Sequence, residues 1–451
     1  MWMLHAVSLK RFKVISVTVL LSVNCLFIIG LMSKFQIVVR NPDDNGNPTY
    51  SSAQLVPGIS KNINKRNVNE SNNTSRALPY HDLHMQWMKK NISLRINGHT
   101  NISLISAFEY TDQIAIHITS ENLLGNKVYC HYYDAMRKPL QTPFEANVFP
   151  ESVIYCLPRP GTKFVSLSRN QEDEPDYPVP LIDRTMQEPV HYFSVCIAPF
   201  FGTEPKWLMI SEFVEYYKLQ GATHFFFYVV NLSNYDMKIL NDYVRTGDAE
   251  VTIIYNRFDR SEHDWQRNII QNCLLRSRNF SYWTAFVDID ERLAMTQFNG
   301  TVLDYLKQVK DPWIGNLQFR QTWLMKTETQ PEKYVNDEET VKWMPTQRYR
   351  NTSSVGPHGH TTKCIIRSNT VGAMFVHYPM VFYPGYKKHE MEPWEGVVRH
   401  YRDLKLGNWG KKWLKEVKAF GPFKNAPMDL ATSHKLVNAV VKRVKYVYKK
   451  L

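Results

Sequence analysis

From Tyr192 onward the chain alternates between two kinds of periodicity. "YFSVCIAPFFG" is an apolar run as far as Pro199, as a buried strand requires, and "KWLMISEFVEYYKLQGA" repeats its apolar positions at helical spacing up to Gly221. "HFFFYVVN" predicts a second buried strand and "NYDMKILNDYVRTGD" a second helix ending at Gly247. "AEVTIIYN" then predicts a third strand, "WQRNIIQNCLLRSRNF" a third helix and "YWTAFVDID" a fourth strand. Strands alternating with helices of this length predict βαβ units, hence an α/β domain with a mostly parallel sheet and right-handed crossovers. Ligands of such sheets sit beyond the carboxyl ends of the strands, where the strand order reverses. Asp288 and Asp290 fall at that end of the fourth predicted strand.

The pattern differs on both sides of this segment. Residues 81–190 carry short alternating runs such as "QIAIHIT" and "KVYCHYY" between Asn, Gly and Pro signals, which predicts a small β-rich module and a connector. Residues 34–80 are rich in Asn, Ser, Pro and Gly without periodicity, the composition of a flexible stem. Residues 14–33 hold no charged side chain, and twenty such residues are long enough to cross a bilayer as a helix. A cleaved signal peptide has a shorter apolar region and a small-residue cleavage site. The run ends "GLMSKFQIVV" without one, so a retained signal-anchor is expected. Lys10, Arg11 and Lys13 precede the span, which places residues 1–13 in the cytosol and the rest outside it. The domain proper is expected at 191–420. A basic helix at 421–451 follows, with Leu436, Val440, Val444 and Val447 at helical spacing.

With 451 residues, 43% of them hydrophobic, the chain can bury one large core or two ordinary ones. Its net charge of +13 is uneven: from Lys387 on there are 16 Lys/Arg against 6 Asp/Glu. Nucleic acid does not suit a chain sent into the secretory lumen, and a solvated basic helix accounts for the excess. Asn-x-Ser/Thr acceptors at Asn69, Asn72, Asn73, Asn91, Asn101, Asn231, Asn279, Asn299 and Asn351 agree with a lumenal, glycosylated chain. Beyond Cys25 in the span there are Cys130, Cys156, Cys196, Cys273 and Cys364. Five is odd, so at least one is free or pairs with another chain, which leaves a homodimer open. Cys130 and Cys156, both in the β-rich module, form the first expected disulfide.

Asp288 and Asp290, two positions apart in a strand, would present both carboxylates to one side. Two hard oxygen ligands without a Cys or His cage suit Mg²⁺ or Mn²⁺ shared with substrate phosphates, the metal neutralising charge on a diphosphate leaving group. Glu291 is expected to orient its neighbours or cap a helix rather than ligate. The competing explanation of an Asp-x-Asp is a solvated acidic turn.

"VCIAPFFG", "EFVEYYKLQGATHFFFYV", "QNCLLRSRNFSYWTAFVDIDERL", "KCIIRSNTVGAMFVHYP" and "VRHYRD", in this order, resemble glycosyltransferase family 92. One departure is Asn272, where the resemblance leads us to expect Asp. The resemblance implies a GT-A fold, a type II Golgi membrane protein, and transfer of galactose from a UDP-sugar donor to a glycan acceptor. Asp288 and Asp290 would then bind Mn²⁺ and through it the UDP diphosphate, with a histidine added from a later element: His377 first, His400 second. Pro199 and Phe200 are placed to meet the uridine, and Tyr228 to Asn231 to flank the base or ribose. Lys363, Arg367 and Arg402 are candidates for the diphosphate. Inversion at the anomeric centre requires a carboxylate base. The candidates are Glu328, Glu338, Glu339, Glu392 and Glu395, with Glu392 put forward. A metal-dependent phosphoester hydrolase would need more ligands than the sequence offers. A glycan-binding protein that kept the fold and lost turnover is the non-enzymatic alternative.

Overall fold

The structure, a computed structural model, describes residues 104–118, 123–173, 175, 178–254, 262–404 and 407–449. The expected tail, anchor, stem and first part of the β-rich module lie outside the described residues. Among the described residues no helix is long and apolar enough to cross a membrane.

Seven strands form a first sheet: β1 (Leu104–Glu109), β2 (Ile114–Ile118), β3 (Lys127–Tyr133), β4 (Pro139–Asn147), β5 (Val153–Cys156), β6 (Phe164–Ser168) and β7 (Val179–Asp183). Their order is β4-β3-β6-β7-β1-β2-β5, and the two halves of the sheet close over Ile114, Ile116, Val128, Ile154 and Leu167. Cys130 and Cys156 form the expected disulfide inside this core.

The second sheet begins with the predicted alternation. β8 (His191–Ile197), α1 (Trp207–Leu219), β9 (His224–Val229), α2 (Asn234–Arg245), β10 (Ala249–Ile253), α3 (Glu262–Ser277) and β11 (Ser281–Val287) follow in order. β10, β9, β8 and β11 are neighbours in that order and all parallel. Helices cover both faces, so β9, "HFFFYV", is buried at every position. α1 starts where the Asp236 carboxylate accepts from the Lys206 and Trp207 amides at 2.9 and 2.7 Å, a cap supplied by the first turn of α2. It stops at Gly221, whose φ of +91° suits glycine and where a Cβ would lie 2.4 Å from Leu303.

Beyond β11 the sheet is mixed, not mostly parallel as expected. β12 (Glu291–Met295), α4 (Val302–Gln308), β13 (Ile314–Lys326), α5 (Asp337–Trp343), the single turn α6 (Pro345–Arg348), β14 (Asn351–Thr352), β15 (Lys363–Ile366), β16 (Val371–Met374), β17 (Pro379–Phe382), β18 (Lys387–Glu390) and β19 (Gly396–Asp403) follow. Their connections are turns and short helices rather than full crossover helices, so β15 runs antiparallel to both β11 and β13, and β12 to β19. The long strand β13 pairs with β18 along its first part and with β19 along its second. After α7 (Gly407–Ala419) and β20 (Lys424–Asn425), α8 (Leu430–Lys449) lays Leu436, Val440 and Val444 into the main core against α1. Its basic face is partly paired: Arg443 reaches Asp242 and Glu215.

Candidate functional site

β8 runs beside β9 on one side and β11 on the other, so the strand order reverses between β8 and β11. Pro199 follows β8 and Asp288 follows β11 at this point. Between them lies a small cavity of about 20 Å³, lined by Pro199, Gln266, Ile270, Asp288, Lys363 and Val376 among others. The strand ends at Val287, three residues earlier than expected. Asp288 to Asp290 therefore form a turn, and the two carboxylates are set by separate partners rather than by strand alternation.

Asp288 accepts from Gln266 of α3 at 3.0 Å and from the Lys363 ammonium of β15 at 2.8 Å. Lys363 also lies 3.4 Å from Glu291 and is 2% exposed. Burial alone would lower the pKa of the ammonium, but Asp288 and then Glu291 more than reverse this and raise it. Glu291 is fully buried. It accepts from the Asp288 amide at 2.8 Å and from Gln321 of β13 at 2.7 Å, so it orients the turn as expected. Burial pushes its carboxyl up to about 7, against the pull of Lys363.

Asp290 faces His400 of β19, whose Nε2 lies 3.2 Å from Asp290 Oδ2. Burial would raise the Asp290 pKa, but His400 outweighs it and holds the carboxyl well below the usual range. The Gln321 amide donates to Glu291, which turns its oxygen toward His400 Nδ1 at 3.1 Å. An imidazole whose Nδ1–H is fixed on an amide oxygen presents Nε2 outward, as histidines that bind metals do. His377 is placed otherwise: its Nδ1 lies 3.1 Å from the Thr362 carbonyl, and burial, then Lys363, lowers its pKa to about 4. The structure thus brings the second histidine candidate, not the first, to an acidic oxygen. As the side chains stand, no group of three His, Cys, Asp or Glu among the described residues could hold a metal ion. The cation facing Asp288 is Lys363.

Other expected positions are placed elsewhere. Phe200 is 2% exposed, bonds β9 through its amide and packs on Phe227, so it belongs to the core rather than to a uridine. Tyr228 is also buried, its hydroxyl donating to Asn272 at 3.0 Å. Asn272 in turn donates to Ser106 of β1 at 2.7 Å, so its amide both accepts from Tyr228 and donates to Ser106. Asn231 is exposed in the loop before α2 and does not line the cavity at Asp288. Glu392 lies in the turn between β18 and β19, at the Met295–Gly396 end of the β12–β19 ladder. Glu291 and His400 pair at the other end, four steps or about 13 Å away along the strand. Glu392 is therefore not brought to the two aspartates, and Glu395 beside it accepts from Tyr305 and lies 3.3 Å from His389. Arg367 packs over Trp283 and donates to the Pro312 carbonyl. Sequence reasoning missed Gln266 and Gln321, amides with no local signature, and the Cys196–Cys273 disulfide that ties β8 to α3.

The glycosyltransferase family 92 model matches residues 191–436, over half of the chain. The chain belongs to that family. It is 26% identical over 228 residues to a β-1,4-galactosyltransferase, galt-1, of Caenorhabditis elegans, a match covering 49% of this chain and 50% of that protein. Family 92 membership thus rests on β8 to the start of α8, and the chain spans about half the length of this relative. Solved structures superpose poorly. S. aureus TarS 1–349 aligns at 10% identity over 57% of this chain and 73% of its own, with a TM-score of 0.23. HddC from Yersinia pseudotuberculosis aligns at 15% identity over 51% and 100%, with a TM-score of 0.20.

Proposed function

We propose that this family 92 chain transfers a hexose, galactose in the first instance, from a UDP-sugar to a glycan acceptor, inverting the anomeric centre on a GT-A-like scaffold. The observation that carries this reading is the pair of aspartates at the switch point. Asp288 lines the cavity there and Asp290 follows two residues on, while Glu291, pushed up to about 7 by burial, is only partly ionised and serves to orient the turn. Asp288, Asp290 and His400 Nε2 are the residues that would hold Mn²⁺ or Mg²⁺, once Asp288 turns from Lys363, since as the side chains stand they are not gathered as a metal site. When bound, such an ion would supply charge neutralisation for a departing diphosphate. The chain's own part is to hold the carboxylates: Gln266 and Lys363 fix Asp288, and Gln321 fixes His400 and Glu291 together. Lys363, released from Asp288, is within the same cavity to meet a diphosphate oxygen. The relative's name supports galactose. The apolar run after a basic tail, together with two disulfides, supports a Golgi-anchored enzyme working in the lumen.

The test is UDP release by secreted protein from UDP-galactose, UDP-glucose and UDP-N-acetylglucosamine, with Mn²⁺, with EDTA, and with Asp290→Ala. Release from one donor that is lost on chelation and on substitution bears the reading out. Folded protein that releases UDP from none, even with mixed glycan acceptors, sinks it.

A further inference from the structure

A second cavity, of about 350 Å³, lies where the β-rich sheet meets α3 and the β16–β17 hairpin. Its size falls in the range of small-molecule sites, about 300–1,000 Å³. Phe149 and Glu151 of the β4–β5 turn form one wall, Arg267 and Asn268 of α3 another, Phe375 and Met380 of the hairpin the third. It adjoins the cavity at Asp288 through shared elements. Gln266 and Ile270 of α3 and Val376 of the hairpin line the one, their neighbours Arg267, Asn268 and Phe375 the other.

We propose that this cavity seats the acceptor saccharide. The inference rests on the transferase reading. Three observations carry it. First, the walls are preformed: the Asn268 amide donates to the Ile118 carbonyl at 3.0 Å and to Ser152 Oγ at 2.7 Å, and Gln271 holds both backbone groups of Met374. Second, the lining pairs apolar surfaces with polar rims. Phe375 and Met380 offer faces for the C–H side of a pyranose, while Glu151 brings carboxylate oxygens to its hydroxyls. Third, the charge suits a neutral ligand. Arg267 is ion-paired with Asp264 in the same wall and Glu151 adds a carboxylate, so a nucleotide or phosphate would meet net negative charge. The β-rich sheet thereby supplies one wall of the acceptor site, and acceptor choice is divided between two sheets.

The test uses the whole lumenal chain on an immobilised panel of defined oligosaccharides, alongside hydrolysis of UDP-galactose by water. Wild type should bind at least one oligosaccharide. Phe375→Ser and the exposed, fold-neutral Glu151→Gln should each weaken that binding by about tenfold, the loss expected of a central contact. Donor hydrolysis should stay within about twofold of wild type, because neither side chain lines the cavity at Asp288. Unchanged binding by both variants overturns the inference, as does competition by UDP for the same cavity. Donor hydrolysis with no oligosaccharide bound by wild type removes the acceptor seat and leaves the transferase reading standing. Binding that the variants weaken, without any donor hydrolysis, keeps the seat and removes the transferase.

Discussion

Near the amino ends of the parallel strands, Glu250 lies 2.9 Å from Arg276, 3.3 Å from His224 and 4.0 Å from Arg184, with the His191 ring stacked on His224. At the carboxyl ends, Asp288, Asp290 and Glu291 gather around Lys363 and His400. Exposure does not tell the two clusters apart: Glu250 is 33% exposed, Asp288 27% and Asp290 17%. Their place does. One carboxylate meets two guanidiniums at the amino end, and that cluster is complete in itself, holding β10 to α3. At the carboxyl end Asp288 and Asp290 sit at the switch point beside a cavity, with Lys363 and His400 as their nearest cationic partners and Glu291 only partly ionised behind them. Their glutamates shift in opposite directions. Burial raises Glu291 to about 7. Around Glu250 the same burial is outweighed by His224 and Arg276, which bring it down to about 2. A buried ionic cluster alone is therefore poor evidence of a site; its place at the switch point is better evidence.

The sharpest way to break this contrast is activity. Asp290→Ala should lower UDP release by about a thousandfold, the scale of losing a centre of transition-state charge stabilisation. Glu250→Gln should leave turnover per folded molecule within about twofold. Equal losses in the two variants would make the clusters alike. Stability comes next. Lys363→Met leaves buried Glu291 without its cation and should cost about 3–5 kcal/mol in urea unfolding. A cost below about 1 kcal/mol would mean that the carboxyl-end charges are already balanced without Lys363. Glu250→Gln keeps the shape but not the charge, and its partial exposure discounts the loss to about 1–2 kcal/mol. The smallest effect is on acid sensitivity. Because the folded-state pKa of Glu250 is depressed, its contribution is full above about pH 4.5 and is lost as pH falls toward about 2. The stability advantage of wild type over Glu250→Gln should shrink across that window, and an advantage independent of pH there would deny the pairing.

Much of the fold was legible because strands buried on both faces read as unbroken apolar runs, and the helices between them ended at Gly221 and Gly247. The turn at Asp288 was not. Asp-Ile-Asp has the period of a strand, and only the antiparallel pairing of β12 with β19 shows that the chain bends there. Phe200 and Tyr228 illustrate a second limit: an aromatic side chain beside a strand end suits a core as well as a base, and only packing decides. The partners of the acidic turn come from three distant strands. Lys363, Gln321 and His400 are brought in by register, which no local pattern encodes. The Cys196–Cys273 pair is of the same kind.

Asn272 has a consequence for how the chain can be divided. The family match begins at residue 191, on the first strand of the second sheet. Yet Asn272 bonds Ser106, Asn268 bonds Ile118 and Ser152, the Tyr110 hydroxyl bonds the Leu275 carbonyl, and Arg184 bonds the Arg276 carbonyl. Phe108, Ala115 and Val153 close over Leu275. A protein cut at His191 would turn this whole flank of α3 toward water, stripping an apolar seam and stranding its amides. The segment that similarity recognises is thus shorter than the segment that folds, and the two sheets have to be inherited, exchanged and produced as one piece.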